Sequence, residues 1–389
     1  MTNPIRILTG DCRETLKTIP DGTVQTCVTS PPYWGLRDYG HPDQIGQEPT
    51  PESFVETMVE AFREVRRCLH ESGTLWLNLG DSYSGAGYSN HKNTGGAQRS
   101  DGGKQSHLLS SLSGLKPKDL CMIPWRVAMA LQADGWWLRS VICWHKKSCM
   151  PESVTDRPTN SWEPIFLLAK SSCYFYDAEA VKEPCESGLS DMKKMAEHKQ
   201  RIAAKHLTTN PGPLNAANPN TNVGNMRGVG DGNGRNQRNV WTLGPEPYSE
   251  AHFATFPTEI PRRAILAGTS ARGCCPKCYA PWARVMERSK YEPPTGKRNV
   301  DKSRGDKTRK LSGADYNEQA QARTVGWQPG CECGEQPIPQ TVLDPFGGSG
   351  TTGQVALELA RHAILCELNP EYTKLIERRT DVTPGLALH

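Results

Sequence analysis

Two prolines between a serine and a tyrosine, in Ser30-Pro31-Pro32-Tyr33-Trp34, form a first candidate for chemistry. Each proline fixes φ and carries no backbone N–H, so the turn offers carbonyls and few donors. Ser30 adds a hydroxyl acceptor, and Tyr33 and Trp34 add aromatic faces. A rigid, acceptor-rich corner beside a stacking surface suits the exocyclic NH₂ of a flat heterocycle. The lone pair of such an amine is delocalised into its ring, which makes it a poor nucleophile. Two acceptors holding its N–H groups can pyramidalise the nitrogen and aim the lone pair at an electrophilic methyl. A structural proline turn would carry the same residues without that chemistry.

The second candidate lies near the other end of the chain, in residues 341–372. A strand-like run ends in Asp344-Pro345-Phe346, and Gly347, Gly348 and Gly350 then open a helical pattern. The next strand-like run ends in Glu367, 20 residues after Gly347. In a doubly wound sheet a glycine turn lets backbone N–H groups approach a ligand, and an acid about 20 residues on can accept from ribose hydroxyls. No Gly-Lys-Ser/Thr occurs here, which excludes a Walker A loop, and the glycine spacing departs from G-x-G-x-x-G. The expectation is an adenosine-type cofactor.

A third candidate is a set of cysteines. Cys275 and Cys278 form a C-x₂-C pair, and Cys331 and Cys333 form a C-x-C pair after 52 intervening residues. Four thiolates in two close pairs fit tetrahedral zinc with no open coordination position, hence a structural role. Cys274 could stand in for Cys275 as C-x₃-C, and four free thiols are the plainer reading.

These residues need elements to hold them. Strand-like runs cover Val24–Thr29, 74–79, 138–144, 164–169, 341–343 and 363–366. Helical patterns cover 53–69, 121–132, 258–267 and 352–361, the first carrying Phe54, Val55, Met58, Val59, Phe62, Val65 and Leu69 on one face. Alternating strands and helices predict an α/β fold with a mostly parallel sheet covered on both faces. The 389 residues allow two domains or one large domain with insertions. No run of about 18 apolar residues exists, so no membrane-spanning helix is expected. The start of the chain lacks a signal pattern, so a cytoplasmic setting is expected. The 14 cysteines then read as thiols or metal ligands.

The net charge of +4 hides an asymmetry, because residues 261–310 hold 14 Lys/Arg against 4 Asp/Glu. Such a block suits phosphate contact or is a solvated loop. Two stretches look irregular: 84–114, with 7 Gly and 7 Ser, and 208–239, with 9 Asn, 6 Gly and 3 Pro.

Taken together, Ser30-Pro31-Pro32-Tyr33 and residues 344–350 resemble the amino-methyltransferases of DNA, which modify N4 of cytosine or N6 of adenine. The order, catalytic turn first and cofactor loop last, resembles their β class. Trp144-His145-Lys146, Arg157-Pro158-Thr159-Asn160-Ser161-Trp162-Glu163 and Ala251-His252-Phe253-Ala254-Thr255-Phe256-Pro257 are similar to further segments of that class. The resemblance covers most of the chain and weakens over 84–114 and about 178–240.

The resemblance implies a doubly wound, circularly permuted methyltransferase sheet with a target-recognition insertion and a small zinc-binding loop. The implied organisation is 1–177 catalytic, 178–240 target recognition, 241–273 core, 274–335 zinc-knuckle insertion and 336–389 cofactor binding. S-adenosylmethionine would be bound by Asp344, Phe346, Gly347, Gly348, Gly350, Thr351 and Glu367, with Asp11 of Gly10-Asp11 nearby. Ser30, Pro31, Pro32 and Tyr33 would act on the amine of a flipped-out base, with Tyr33 stacking on it. Cys12 and Cys27 would be bystanders. The Ser-Pro-Pro-Tyr form resembles the N4-cytosine group, which makes double-stranded DNA the partner. A homodimer and a companion restriction endonuclease are compatible partners, and the expected place is a prokaryotic or phage-type, nucleoid-associated one. Alternatives are an N6-adenine enzyme, an RNA or protein substrate, and an inactive nucleic-acid-binding module.

Overall fold

The computed structural model describes residues 4–36, 41–84, 114–149, 151–184, 234–244, 246, 256–288 and 322–381. Most of the glycine- and serine-rich stretch, residues 185–233 of the expected target-recognition region, residues 251–255, and the basic block from 289 onward lie outside the described residues. The chain divides into two compact units. Met1–Asp177, Arg238–Ala283 and Pro329–His389 form the first, and Ala178–Gln237 and Arg284–Gln328 the second.

The first unit is built on an eight-stranded sheet. Its strands are β1 (Ile5–Thr9), β2 (Val24–Thr29), β3 (Leu69–Asn78), β4 (Trp137–Lys146), β5 (Trp162–Ala169), β6 (Val240–Leu243), β9 (Thr341–Asp344) and β10 (His362–Glu367). They lie in the order β1-β10-β9-β2-β3-β5-β4-β6. All neighbours pair parallel except β5, which runs antiparallel to both β3 and β4. The mostly parallel α/β sheet predicted from the strand–helix alternation, doubly wound as the resemblance implies, is therefore present, with one strand reversed.

Central position shows in burial. Every residue of β2 is buried, as the middle strand of a sheet covered on both faces requires. Polar residues on that strand are satisfied within the sheet: Gln25 Oε1 accepts from the Thr341 N–H at 2.7 Å, and the Thr26 and Thr74 hydroxyls bond at 2.9 Å.

Helix α2 (Pro51–Cys68) follows α1 (Cys12–Thr15) and covers one face. Thr50 and Ser53 close a capping box and Pro51 occupies the first turn, where no N–H is needed. Phe54, Met58, Phe62 and Val65 recur at helical spacing and are fully buried in the core. Helices α3 (Ile123–Ala133), α4 (Glu259–Gly268), α5 (Thr351–Glu358) and α6 (Pro370–Arg379) complete the unit.

Several boundaries differ from the sequence expectations. The strand expected at 74–79 begins at Leu69, directly after α2. The helix expected over 352–361 stops at Glu358, because Ala360 turns left-handed at φ 56° and the Arg361 N–H closes back on Ala356 at 2.8 Å. Strands β1 and β6 and helices α1 and α6 lie where no element was expected.

In the second unit, strands β7 (Ala283–Arg288) and β8 (Ala322–Gln328) form a two-stranded sheet. Arg284 lies over the Trp327 ring at 4.5 Å and Arg323 pairs with Glu287 at 2.8 Å. Glu183 and Arg235 pair through both backbones and side chains.

Candidate active site and thiolate cluster

Parallel strands deliver their carboxyl ends to one edge of the sheet. There Ser30–Tyr33, following β2, and Asp344–Ser349, following β9, line the same cleft. Gly10, Asp11, Glu367 and Phe256 line it too. Every residue expected to be catalytic or to bind the cofactor, save Gly350, belongs to this lining; Gly350 stands at the N-cap of α5 with φ 83°.

At the β9–β10 end the cleft is organised around carboxylates. Asp344 is buried and accepts from the Thr29 hydroxyl at 2.6 Å and the Phe346 N–H at 3.1 Å. Burial pushes its pKa up to about 6 against the donors Thr29, Thr352 and Phe346. Glu367 is likewise raised by burial, while its oxygens accept the N–H groups of Gly348 and Asn369 at 2.8 and 2.9 Å. A carboxylate has roughly four acceptor positions, so Glu367 is fixed in place with capacity left for a ligand. Burial pushes Asp11 upward, but Arg13, bonded at 2.6 Å, outweighs it and holds the carboxyl below its ordinary range.

Packing within the protein also requires glycine at two of these positions. A Cβ on Gly347 would meet the Cys366 carbonyl and Ile376 at 3.2 Å, and one on Gly350 would meet the Ile376 backbone at 3.1 Å. These two make room for β10 and α6. Gly348 has open space around its Cβ position, and its φ of 53° sets the requirement there.

The other end of the cleft is a side-chain network. Asn78, the last residue of β3, stands between the Ser30 hydroxyl, donating to its Oδ1 at 3.3 Å, and the Tyr33 hydroxyl at 3.2 Å. The Asn78 Nδ2 donates to the Pro164 carbonyl at 3.2 Å and to Glu163 at 3.4 Å. Tyr33 donates to Glu163 Oε2 at 2.9 Å, and Lys146 pairs with Glu163 Oε1. Among the described residues, the Pro31 and Pro32 carbonyls accept no hydrogen bond. A Cβ at Gly80 would lie 2.2 Å from the Tyr33 ring, so glycine is required there by close approach. Burial pushes the Cys12 and Cys27 thiols far up, so neither is a ready nucleophile.

Asn78, Lys146 and Glu163 were not assigned from sequence. Lys146 and Glu163 end the segments Trp144–Lys146 and Arg157–Glu163, but nothing in their spacing signals that they meet. Residues 251–255 of the segment Ala251–Pro257 are outside the described residues.

Away from the cleft, the sulfurs of Cys275, Cys278, Cys331 and Cys333 all lie within 4.8 Å of one another. Sulfurs about 2.3 Å from a tetrahedral zinc would be roughly 3.8 Å apart. The Cys278 and Cys333 sulfurs are 3.7 Å apart, so this donor set fits the ion. The backbone N–H of Cys278, aided by that of Lys277, lowers the Cys275 thiol to about 7. Cys274 is outside the cluster: it is buried and exchanges two backbone hydrogen bonds with Ile338 at 2.9 Å.

The chain is similar to known proteins over most of its length. The DNA methylase family profile matches residues 24–275 and 336–378. The type II methyltransferase M.SmaI of Serratia marcescens is 35% identical over 96% of this chain and 90% of its own. M.Cfr9I of Citrobacter freundii is 34% identical over 97% of this chain and 88% of its own. The fold matches the PvuII DNA methyltransferase (cytosine-N4-specific) with a TM-score of 0.52 and 14% identity, covering 98% of this chain and 89% of that one. With a glycine-turn cleft that also holds the Ser-Pro-Pro-Tyr corner, and relatives matched almost end to end, this chain belongs to the DNA methylase family.

Proposed function

We propose that the protein transfers a methyl group from S-adenosylmethionine to N4 of a cytosine flipped out of double-stranded DNA. The observation that carries this reading is the opening of the Ser30–Tyr33 corner and the Asp344–Glu367 cradle onto one cleft. The cofactor supplies an electrophilic methyl on a sulfonium. Glu367 is placed to accept from ribose hydroxyls, and the Gly347–Thr351 turn and Phe346 complete the cradle with Asp11. Ser30 and the Pro31 and Pro32 carbonyls accept the N–H groups of the target amine. Tyr33 presents its ring to the base. Preference for cytosine over adenine rests on the Ser-Pro-Pro-Tyr form of the turn. The relatives' type II naming leads us to infer a companion restriction endonuclease.

Methylation of plasmid DNA by the purified protein, followed by nucleoside mass analysis, tests the reading. N4-methylcytosine is the expected product. N6-methyladenine would overturn the base assignment, and no cofactor-dependent incorporation would overturn the activity.

The same proposal assigns one structural zinc to Cys275, Cys278, Cys331 and Cys333, which would clamp both ends of the insertion at 279–330. Metal coordination enters the folding free energy directly. Elemental analysis should find one zinc per chain and its loss in Cys278→Ser. A content well below one in protein never exposed to chelator would remove the site.

A further inference from the structure

The reversed strand β5 brings a residue to the cleft that a parallel strand would send to the far edge. Because β5 runs against its neighbours, its amino end lies beside the carboxyl ends of β3 and β4. Glu163, its second residue, thereby meets Asn78 and Lys146, the last residues of those strands, and Tyr33 from the turn after β2.

The direction of the hydrogen bonds in this network is set by Glu163. A carboxylate paired with lysine accepts and does not donate. It takes the Tyr33 hydroxyl hydrogen at 2.9 Å and draws the Nδ2 end of Asn78, which the Pro164 carbonyl also holds. The opposite end of that amide, Oδ1, must then face the corner, where it accepts the Ser30 hydroxyl hydrogen at 3.3 Å. Each hydroxyl has a single hydrogen, and both are spent inside the protein. The remaining capacity of Ser30 is lone pairs, and Tyr33 has no hydrogen left to donate into the corner. An amine entering the corner meets acceptors, which is what draws on its N–H groups and localises its lone pair.

The geometry points to Glu163, anchored on Lys146, as a positioning residue that makes the Ser30–Tyr33 corner an acceptor site for the target amine. It acts through Asn78 and Tyr33 and need not touch the base. This inference rests on the amine-methylation reading above.

The test is single-turnover methyl transfer to plasmid DNA with donor affinity measured by calorimetry. Glu163→Gln keeps the shape but lets an NH₂ group point at Tyr33 and Asn78, reversing the network. The methyl-transfer rate should fall about 10- to 100-fold, less than or comparable to loss of a direct transition-state bond. S-adenosylmethionine affinity should change less than about twofold, which also reports that the cleft is folded. Glu163→Asp, which keeps the acceptor character, should recover part of the rate. In a Tyr33→Phe background Glu163→Gln should cost less than it does alone, because the two act in one network. A Glu163→Gln rate within about twofold of the parent would overturn the inference, as would fully additive losses in the double variant. If Ser30→Ala is itself fully active, the underlying amine reading fails; if Ser30→Ala is impaired while Glu163→Gln is not, only the role of Glu163 fails.

Discussion

The two ends of the cleft solve the same problem with different material. At the β9–β10 end, carboxylates are held mainly by backbone N–H groups: Gly348 and Asn369 on Glu367, and Phe346, together with the Thr29 hydroxyl, on Asp344. At the β3–β5 end, a carboxylate is held by the side chains of Tyr33, Asn78 and Lys146. Backbone donors come with the turn and survive most substitutions. A side-chain network depends on the identity of every member. On the function proposed above, the first end would hold the methyl donor and the second would direct the reacting amine. Substitutions at the first should therefore act on donor affinity, and those at the second on turnover.

The sharpest separation is expected from Ser30→Ala. Methyl transfer should fall by about 10²-fold, as when one transition-state hydrogen bond is removed, with donor affinity nearly unchanged. Stopped-time incorporation of labelled methyl measures the first and calorimetry the second. Loss of donor affinity instead would erase the distinction between the ends.

The reciprocal experiment is Glu367→Ala, which should weaken donor binding by about tenfold or more, in line with hydrogen bonds to a charged acceptor. Gly348→Val should act in the same direction, because a β-branched residue is strained at a φ of 53°. Unchanged titration curves for both variants would place the donor elsewhere. Gly80→Ala probes the opposite end by displacing the Tyr33 ring; a severalfold slower turnover at unchanged donor affinity is expected, and parent-like turnover would show that the ring position is immaterial.

The smallest effect is one of pH on stability. Burial pushes the Asp344 carboxyl up to about 6 in the folded protein, above about 3.9 for a free aspartate. The folded protein thus retains a proton that the unfolded chain loses between about pH 4 and 6, so this group's contribution to stability falls as pH rises through that window. The full loss, about 2–3 kcal/mol at most, is present above pH 6. Asp344→Asn should remove it: in urea unfolding, the variant's stability relative to the parent should improve from pH 4.5 to pH 7. An unchanged difference between the two pH values would mean that Asp344 is not titrating there.

The two ends were also unequally legible in the sequence. The β9–β10 end is local: strand, glycine turn, helix and acidic strand end follow one another within 341–372, so spacing alone exposes it. Val24–Thr29 was visible as a run of residues that suit a strand, and the 53–69 pattern matched the buried face of α2. The side-chain network is assembled from four separate elements. Its key member reaches the cleft only because β5 runs backwards, and no residue pattern announces strand direction. The cysteine pairs, by contrast, were legible across 52 residues because thiolate pairs of that spacing have few other uses. Their choice of Cys275 over Cys274 depended on the backbone bridge to Ile338, which spacing does not encode.

That bridge has a consequence for how such a chain can change. Cys274 and Ile338 are tied by reciprocal hydrogen bonds, and a Cβ on Gly273 would strike the Ile338 carbonyl at 2.1 Å. Chain leaving the first unit and chain returning to it are thus fastened side by side before the intervening residues begin. Lengthening a loop whose ends are already joined adds only about 0.6 kcal/mol per doubling. The position behaves as a socket: the residues between the two cysteine pairs can be lengthened or shortened at small entropic cost, while the strand that leads into Asp344 starts from the same place.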